Sequence, residues 1–233
     1  MSPNGHHHLD RLAGVIDAAN GADPAHGLCR VCVVVLAVSG ASLMVMADGL
    51  PSPLSSSNAV AARLEDLQST LGEGPCVDAH HTGRSVSEPD LARPREVRWM
   101  AFGAAALEAG AAAVFSFPLR VGGVRLGALT LYRDVPGGLS IEQHADAQAV
   151  ADVAANVVLA VQAETPEGML SRDLEALAGY SAALHQASGM LSVQLDVGVG
   201  EALMRLRAHA FARERLLADV AADVVARRLR FDD

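Results

Sequence analysis

The 233-residue sequence predicts an α+β protein, in which an antiparallel sheet flanked by helices is followed by an all-α bundle of three helices. Three observations carry this expectation. Stretches rich in β-forming residues, at 31–47 and 112–134, each break at a Gly-containing turn. Beyond residue 170, apolar residues instead recur every three or four positions. Between the two patterns lies ETPEG (164–168), a polar Pro/Gly segment that marks a domain boundary.

Residues 1–10, with HHH at 6–8, read as a disordered tail, and a first domain spans 11–162. In LDRLAGVIDAA (9–19), Leu9, Leu12, Ile16 and Ala19 share one helical face. GADPAHG (21–27) punctuates, and RVCVVVLAV and ASLMVMAD read as two strands turning at Ser39–Gly40. The Pro/Ser-rich GLPSPLSSSN (49–58) predicts a loop, with Ser57 or Asn58 as N-cap of a helix through AVAARLEDLQ. Residues 71–96 are punctuated by Gly and Pro and predict an irregular segment wrapping a pocket. A helix over 97–110, a hairpin over 112–134 about a Val-Gly-Gly turn, and a helix from Ser140 to about residue 162 complete the domain. This order predicts helices on one side of the sheet.

A linker at 163–170 leads to the second domain, 171–230. Its first helix places Leu174, Leu177, Ser181, Leu184, Ser188 and Leu191 on one stripe. DVGVG (196–200) interrupts. Ala202, Leu206 and Ala210 then line the second helix, and Leu217, Val220, Ala221 and Val224 the third. With Ala187, these residues predict a small common core. Charge divides at the same place. Residues 1–170 hold ten Arg against eighteen acids, whereas 201–230 hold seven Arg against four. The last two helices of the second domain are therefore basic inside an acidic chain of net charge −9.

Composition excludes several chemistries. All eighteen basic residues are Arg, so a P-loop lysine, Schiff-base chemistry and the kinase β3 lysine are absent. No apolar run approaches the roughly 18 residues that span a bilayer, and MSPNGHHHLD lacks the pattern of a secretory signal. A cytoplasmic chain without membrane contact is expected. Three cysteines, Cys29, Cys32 and Cys76, form no disulfide framework. On a strand, Cys29 and Cys32 would point to opposite faces, which favours packing over a redox pair or a metal site.

Several segments carry a resemblance. HQASGMLSVQL (185–195), EALMRLRAHAF (201–211) and LLADVAADVVARRL (216–229) resemble the ANTAR domain, the three-helix RNA-binding module of bacterial antitermination regulators. LGEGPCVDA (71–79), SEPDLA (87–92), FPLRVGGVRLGALTLYR (117–133) and LSIEQHADAQAVADVAA (139–155) resemble the GAF domain commonly joined to it. The combination is similar to actinobacterial GAF-and-ANTAR regulators. It departs from them at GVG (198–200), where relatives often offer Ser or Asp as the cap of the second helix. The resemblance implies a homodimeric regulator whose GAF domain senses a signal, with a small-molecule ligand among the candidates. Its C-terminal bundle would hold paired RNA stem-loops in leader transcripts and act as an antiterminator. The helices at 9–19 and 140–162, with the one beginning near 171, would form the dimer.

Arg supplies both phosphate contacts and planar groups for unstacked bases. Arg205, His209 and Arg213 lie along one side of the second helix, about 40° apart per step. Arg215, Arg227 and Arg228 complete the candidate RNA-binding set. Against it stands local pairing: Glu201 with Arg205, and an i,i+4 ladder of Arg215, Asp219, Asp223 and Arg227. In the first domain, Cys76 and the single Trp, Trp99, are candidates for a sensor pocket, with His80 and His81 near enough in sequence to activate the thiol. No catalytic or metal-binding residue is expected. Two other classes stay open: a sensor or scaffold whose helical tail binds protein, and a GAF-fold thiol-dependent methionine sulfoxide reductase.

Overall fold

Five antiparallel strands form one sheet in the order β2-β1-β5-β4-β3. They are β1 Gly40–Ala47, β2 Leu50–Ser56, β3 Val86–Glu88, β4 Ala113–Val121 and β5 Val124–Arg133. The computed structural model describes residues 15, 17, 23–47, 50–94, 96, 98–163 and 172–231, with 161–163 and 172–178 described by backbone alone. The expected tail, most of the 9–19 helix and nearly all of the 163–170 linker lie outside the described residues, as do the side chains of Leu174 and Leu177.

Helices cover both faces of the sheet, which corrects the expectation of one. Helices α1 (Pro24–Leu36) and α5 (Ile141–Ala163) pack with Leu43, Val45, Phe115, Phe117, Leu129 and Leu131. Helices α2 (Ala59–Leu71), α3 (Pro75–Thr82) and α4 (Met100–Glu108) pack on the opposite side with Met44, Val114, Ala128 and Tyr132. The sign lies in β4, where every residue from Ala113 to Leu119 is buried. Such a run needs cover on both sides.

The segment RVCVVVLAV is helical, not a strand. Asp23 caps α1 by accepting from the His26 N–H, Pro24 occupies the first turn, and Ala37 ends the helix in the left-handed region. Leu28, Cys29, Cys32 and Leu36 recur at helical spacing and are fully buried, so tertiary burial overrides the weak strand preference of the valines. Cys29 and Cys32 consequently share a face. Burial pushes the Cys29 thiol up to about 12 and raises Cys32 as well, so both are packing residues.

The strand that pairs with β1 on its outer side is β2, inside the segment expected as a loop. Its register sets Met44 against Pro53 and Met46 against Pro51. Proline is compatible with this position because β2 is an edge strand. Within the segment expected to be irregular, residues 75–82 form α3 and residues 86–88 form β3. Asn58 is the N-cap of α2, accepting from the Ala61 N–H at 2.9 Å.

The C-terminal helices are α6 (Arg172–Leu195), α7 (Val199–Ala212) and α8 (Leu217–Val225). Their core contains Leu184, Ala187, Leu191, Ala202, Leu206, Ala210, Leu217, Val220, Ala221 and Val224, as the periodicity predicts. Gly198 caps α7 without a side-chain hydrogen bond. The bundle packs against the first domain. Leu50 of β2 joins its core, and the Ser52 and Ser181 hydroxyls lie 3.3 Å apart. Among the described residues, no helix is long and apolar enough to cross a membrane.

Candidate functional site

Alternation on the strands sets a row of hydroxyls on the α2 side of the sheet. Ser42 pairs in register with Thr130, and Thr130 with Ser116. All three are buried, and the Ser116 and Thr130 hydroxyls are 3.0 Å apart. Helix α2 lowers Glu65 onto this row, where its Oε1 accepts from Ser42 at 2.5 Å. Burial, opposed by hydrogen bonds from Ser42 and Thr130, pushes the Glu65 carboxyl up to about 7. One turn on, Gln68 Oε1 accepts from the Cys76 N–H at 2.7 Å. Glu65 Oε2 and Gln68 Nε2 are buried without a partner.

The Cys76 thiol is sealed between Met44, Ala79, Val86 and Ala128. Burial raises it well above the ordinary thiol range, and Glu65 and Asp78 add to that shift. Its neighbour His80 is pushed down by burial and then by His81 and Arg125, so it brings no cation to the thiol. This is the reverse of an activated cysteine. Trp99 donates to Asp78 at 3.0 Å and lies edge-on to Phe102. Arg98 stacks over its ring at 4.6 Å. Glu73 holds this region in place by accepting the Ala101 and Phe102 N–H groups at the start of α4. Trp99 lines a cavity of 220 Å³ whose wall includes Glu88 of β3; Cys76 is not among its lining residues. The two expected sensor residues thus share an apolar cluster, but only Trp99 reaches the cavity.

The candidate RNA-binding residues separate into three groups. Arg205 is paired with Glu201 at 2.8 Å. Arg215 and Arg228 converge on Asp223, at 2.6 and 2.7 Å, and hold its carboxyl below the ordinary range. The expected ladder is thereby corrected. Arg215 precedes α8, whose first residue is Leu217, and Arg228 rather than Arg227 reaches Asp223. His209 lies against the Phe231 ring at 4.8 Å. Burial, with Arg213 and Arg215 nearby, lowers its pKa, so it is a neutral ring at pH 7. Arg215 and exposed Arg213 therefore sit near His209, while Arg227 and Arg230 line a separate groove with Met190 and Val193.

A family model for the GAF domain matches residues 18–162, more than half of the chain. The chain belongs to the GAF-domain family. Solved structures agree on this fold. The GAF domain of Acinetobacter phosphoenolpyruvate-protein phosphotransferase superposes with a TM-score of 0.53 at 13% identity, over 71% of this chain and 99% of that one. The corresponding domain from Coxiella burnetii gives 0.54 at 16% identity, over 69% and 98%. The free methionine-R-sulfoxide reductase of Neisseria meningitidis gives 0.50 at 12%, over 71% and 96%. Among curated proteins, none matches the sequence.

Four residues at this GAF domain and its contact with the bundle escape sequence reasoning: Glu65, Gln68, Glu88 and Arg207. The first two sit in LEDLQS, which reads as a solvated helix segment until the sheet is known to lie beneath it. Glu88 shares the buried face of Val86, on either side of exposed Ser87, on a strand of three residues, too short to register as one. Arg207 packs on Gly72, where a Cβ would lie 2.5 Å from its Nη1 and where φ is +68°. No local pattern announces that contact.

Proposed function

We propose that this GAF-domain chain is a signal-responsive RNA-binding regulator that captures paired stem-loops in leader transcripts and acts as an antiterminator. The observation that carries the proposal is a three-helix bundle, basic in its last two helices, docked on a sensory domain with the Arg205, His209 and Arg213 stripe turned away, while Arg215 lines the cleft toward the first domain. Arg207, two residues from Arg205 and so about 200° round the helix, is the residue of α7 that meets Gly72 of the GAF domain. The stripe of Arg205, His209 and Arg213 therefore faces elsewhere. Helix α2 supplies the route between signal and output, since Glu65 reaches the buried polar row, Gln68 accepts from the Cys76 N–H, and Gly72, its C-cap, lies against Arg207. The chain works as a non-catalytic homodimer, paired through the helices at 9–19 and 140–162 and the one beginning near 171.

The test is binding to a leader RNA recovered by crosslinking to the protein. Arg205→Ala with Arg213→Ala weakens binding and lowers the salt slope by about 2, one for each phosphate contact. The circular dichroism of the helices stays that of the parent. Unchanged affinity in the double variant sinks the RNA assignment, and a bundle that captures protein but no hairpin RNA replaces it with the scaffold reading.

A further inference from the structure

We infer that the 220 Å³ cavity between β3 and α4 binds a small organic ammonium ion through Glu88. Glu88 lines this cavity, is only 2% exposed, and has no hydrogen-bond partner at Oε1. A carboxylate is almost never fully buried unless something pairs with it. Among the described residues, the cation nearest in the cavity wall is Arg98, and it is committed elsewhere. Its guanidinium lies 3.9 Å from Asp78, 3.7 Å from Glu96 and 4.6 Å over the Trp99 ring. Among the described residues, nothing in the wall answers the charge of Glu88.

The rest of the wall defines the body of the ligand. Leu91, Pro94 and Met100 are apolar, and the volume is below the about 300–1,000 Å³ of pockets for drug-sized molecules. Trp99 offers an aromatic surface that already attracts one cation, Arg98, and can attract a second. Glu96 stands at the same cavity and repels anions. A primary or methylated ammonium on a compact apolar body satisfies all of these features. Its N–H groups donate to the Glu88 carboxylate, and its hydrocarbon covers the apolar wall.

The inference rests on the sensory reading of the GAF domain and names what that domain would sense. Trp99 is the only Trp in the chain, so its emission reports on the site directly. The full chain is titrated with n-butylammonium, 1-pentanol and pentanoate at constant ionic strength. A saturable change with the ammonium alone is expected. Glu88→Gln keeps the shape and removes the charge, and it weakens that binding by at least about thirtyfold. Gly103 gives a second variant. A Cβ there meets nothing within 4 Å, so Gly103→Leu fills the cavity and abolishes binding without touching Glu88. Parental affinity in Glu88→Gln overturns the inference, as do equal responses to the alcohol or the carboxylate, or no saturation by the ammonium. Hairpin binding measured on the same preparations separates the two readings. Ammonium binding without RNA affinity upholds the inference and sinks the RNA proposal, and the opposite result does the reverse.

Discussion

The two faces of the sheet are built from the same strands and differ in kind. Toward α1 and α5 the strands present Ala41, Leu43, Val45, Phe115, Phe117, Leu129 and Leu131, all apolar and buried. Toward α2, α3 and α4 they present Ser42, Ser116, Thr130 and Glu88 among the hydrophobic residues. Within the described GAF domain, every buried side-chain atom that lacks a partner lies on this second side: Glu65 Oε2, Gln68 Nε2, His80 Nδ1 and Glu88 Oε1. Each unmet polar atom costs about 1–3 kcal/mol. The dry face must offset these costs, and the comparison teaches that the apolar core and the unmet polar groups are kept on opposite sides of one sheet.

The largest break in that comparison comes from the dry face. Phe117 is fully buried against the α1–α5 layer and stacks with His144 at 4.9 Å. Phe117→Ala should lose about 3–5 kcal/mol in urea unfolding, the usual cost of emptying a core site of this size. A loss below about 1 kcal/mol would mean that this face does not carry the stability.

The second test addresses the polar face through pH. Burial raises the Glu65 carboxyl to about 7, so between the ordinary glutamate range and about 7 the folded chain keeps a proton that the unfolded chain has released. Its contribution to stability therefore falls as pH rises through that window and is flat above it, by about 3 kcal/mol in all. Glu65→Gln removes this part of the slope. Urea unfolding at pH 5 and pH 8 measures it, and an identical slope in parent and variant would show that Glu65 does not titrate there.

The same division explains what could be read from the sequence. Residues 113–133 and the bundle core were legible because their apolar spacing is set by contacts on those elements themselves. VCVVVLAV misled because strand propensity is a surrogate for packing, and here packing is decided by α5 and the sheet. The signs of the helix, Asp23 before Pro24 and Leu28–Cys32–Leu36, were present but weaker. β2 was hidden because two prolines describe a loop as well as an edge strand. Glu65 and Glu88 could not be found, because nothing local to a charged residue says that another layer covers it. For the same reason the spacing of Arg205, His209 and Arg213 identified a stripe, but not which of its members already have partners.

The smallest expected effect is the most discriminating. Ser116 and Thr130 share a hydrogen bond, yet it is Thr130 whose hydroxyl lowers the Glu65 pKa, whereas Ser116 is one residue further along the row. Ser116→Ala and Thr130→Val should each cost about 1 kcal/mol, and the double variant less than their sum because no hydroxyl is then left without its mate. Their effects on pH dependence should differ. Thr130→Val removes a hydroxyl that holds the Glu65 pKa down, so the window in which stability falls moves to higher pH. Ser116→Ala leaves it close to where it was. Equal movement in both variants would mean that the row responds as one unit, with Glu65 sensing its far end. No movement in either would detach Glu65 from the sheet and leave Ser42 as its only effective partner.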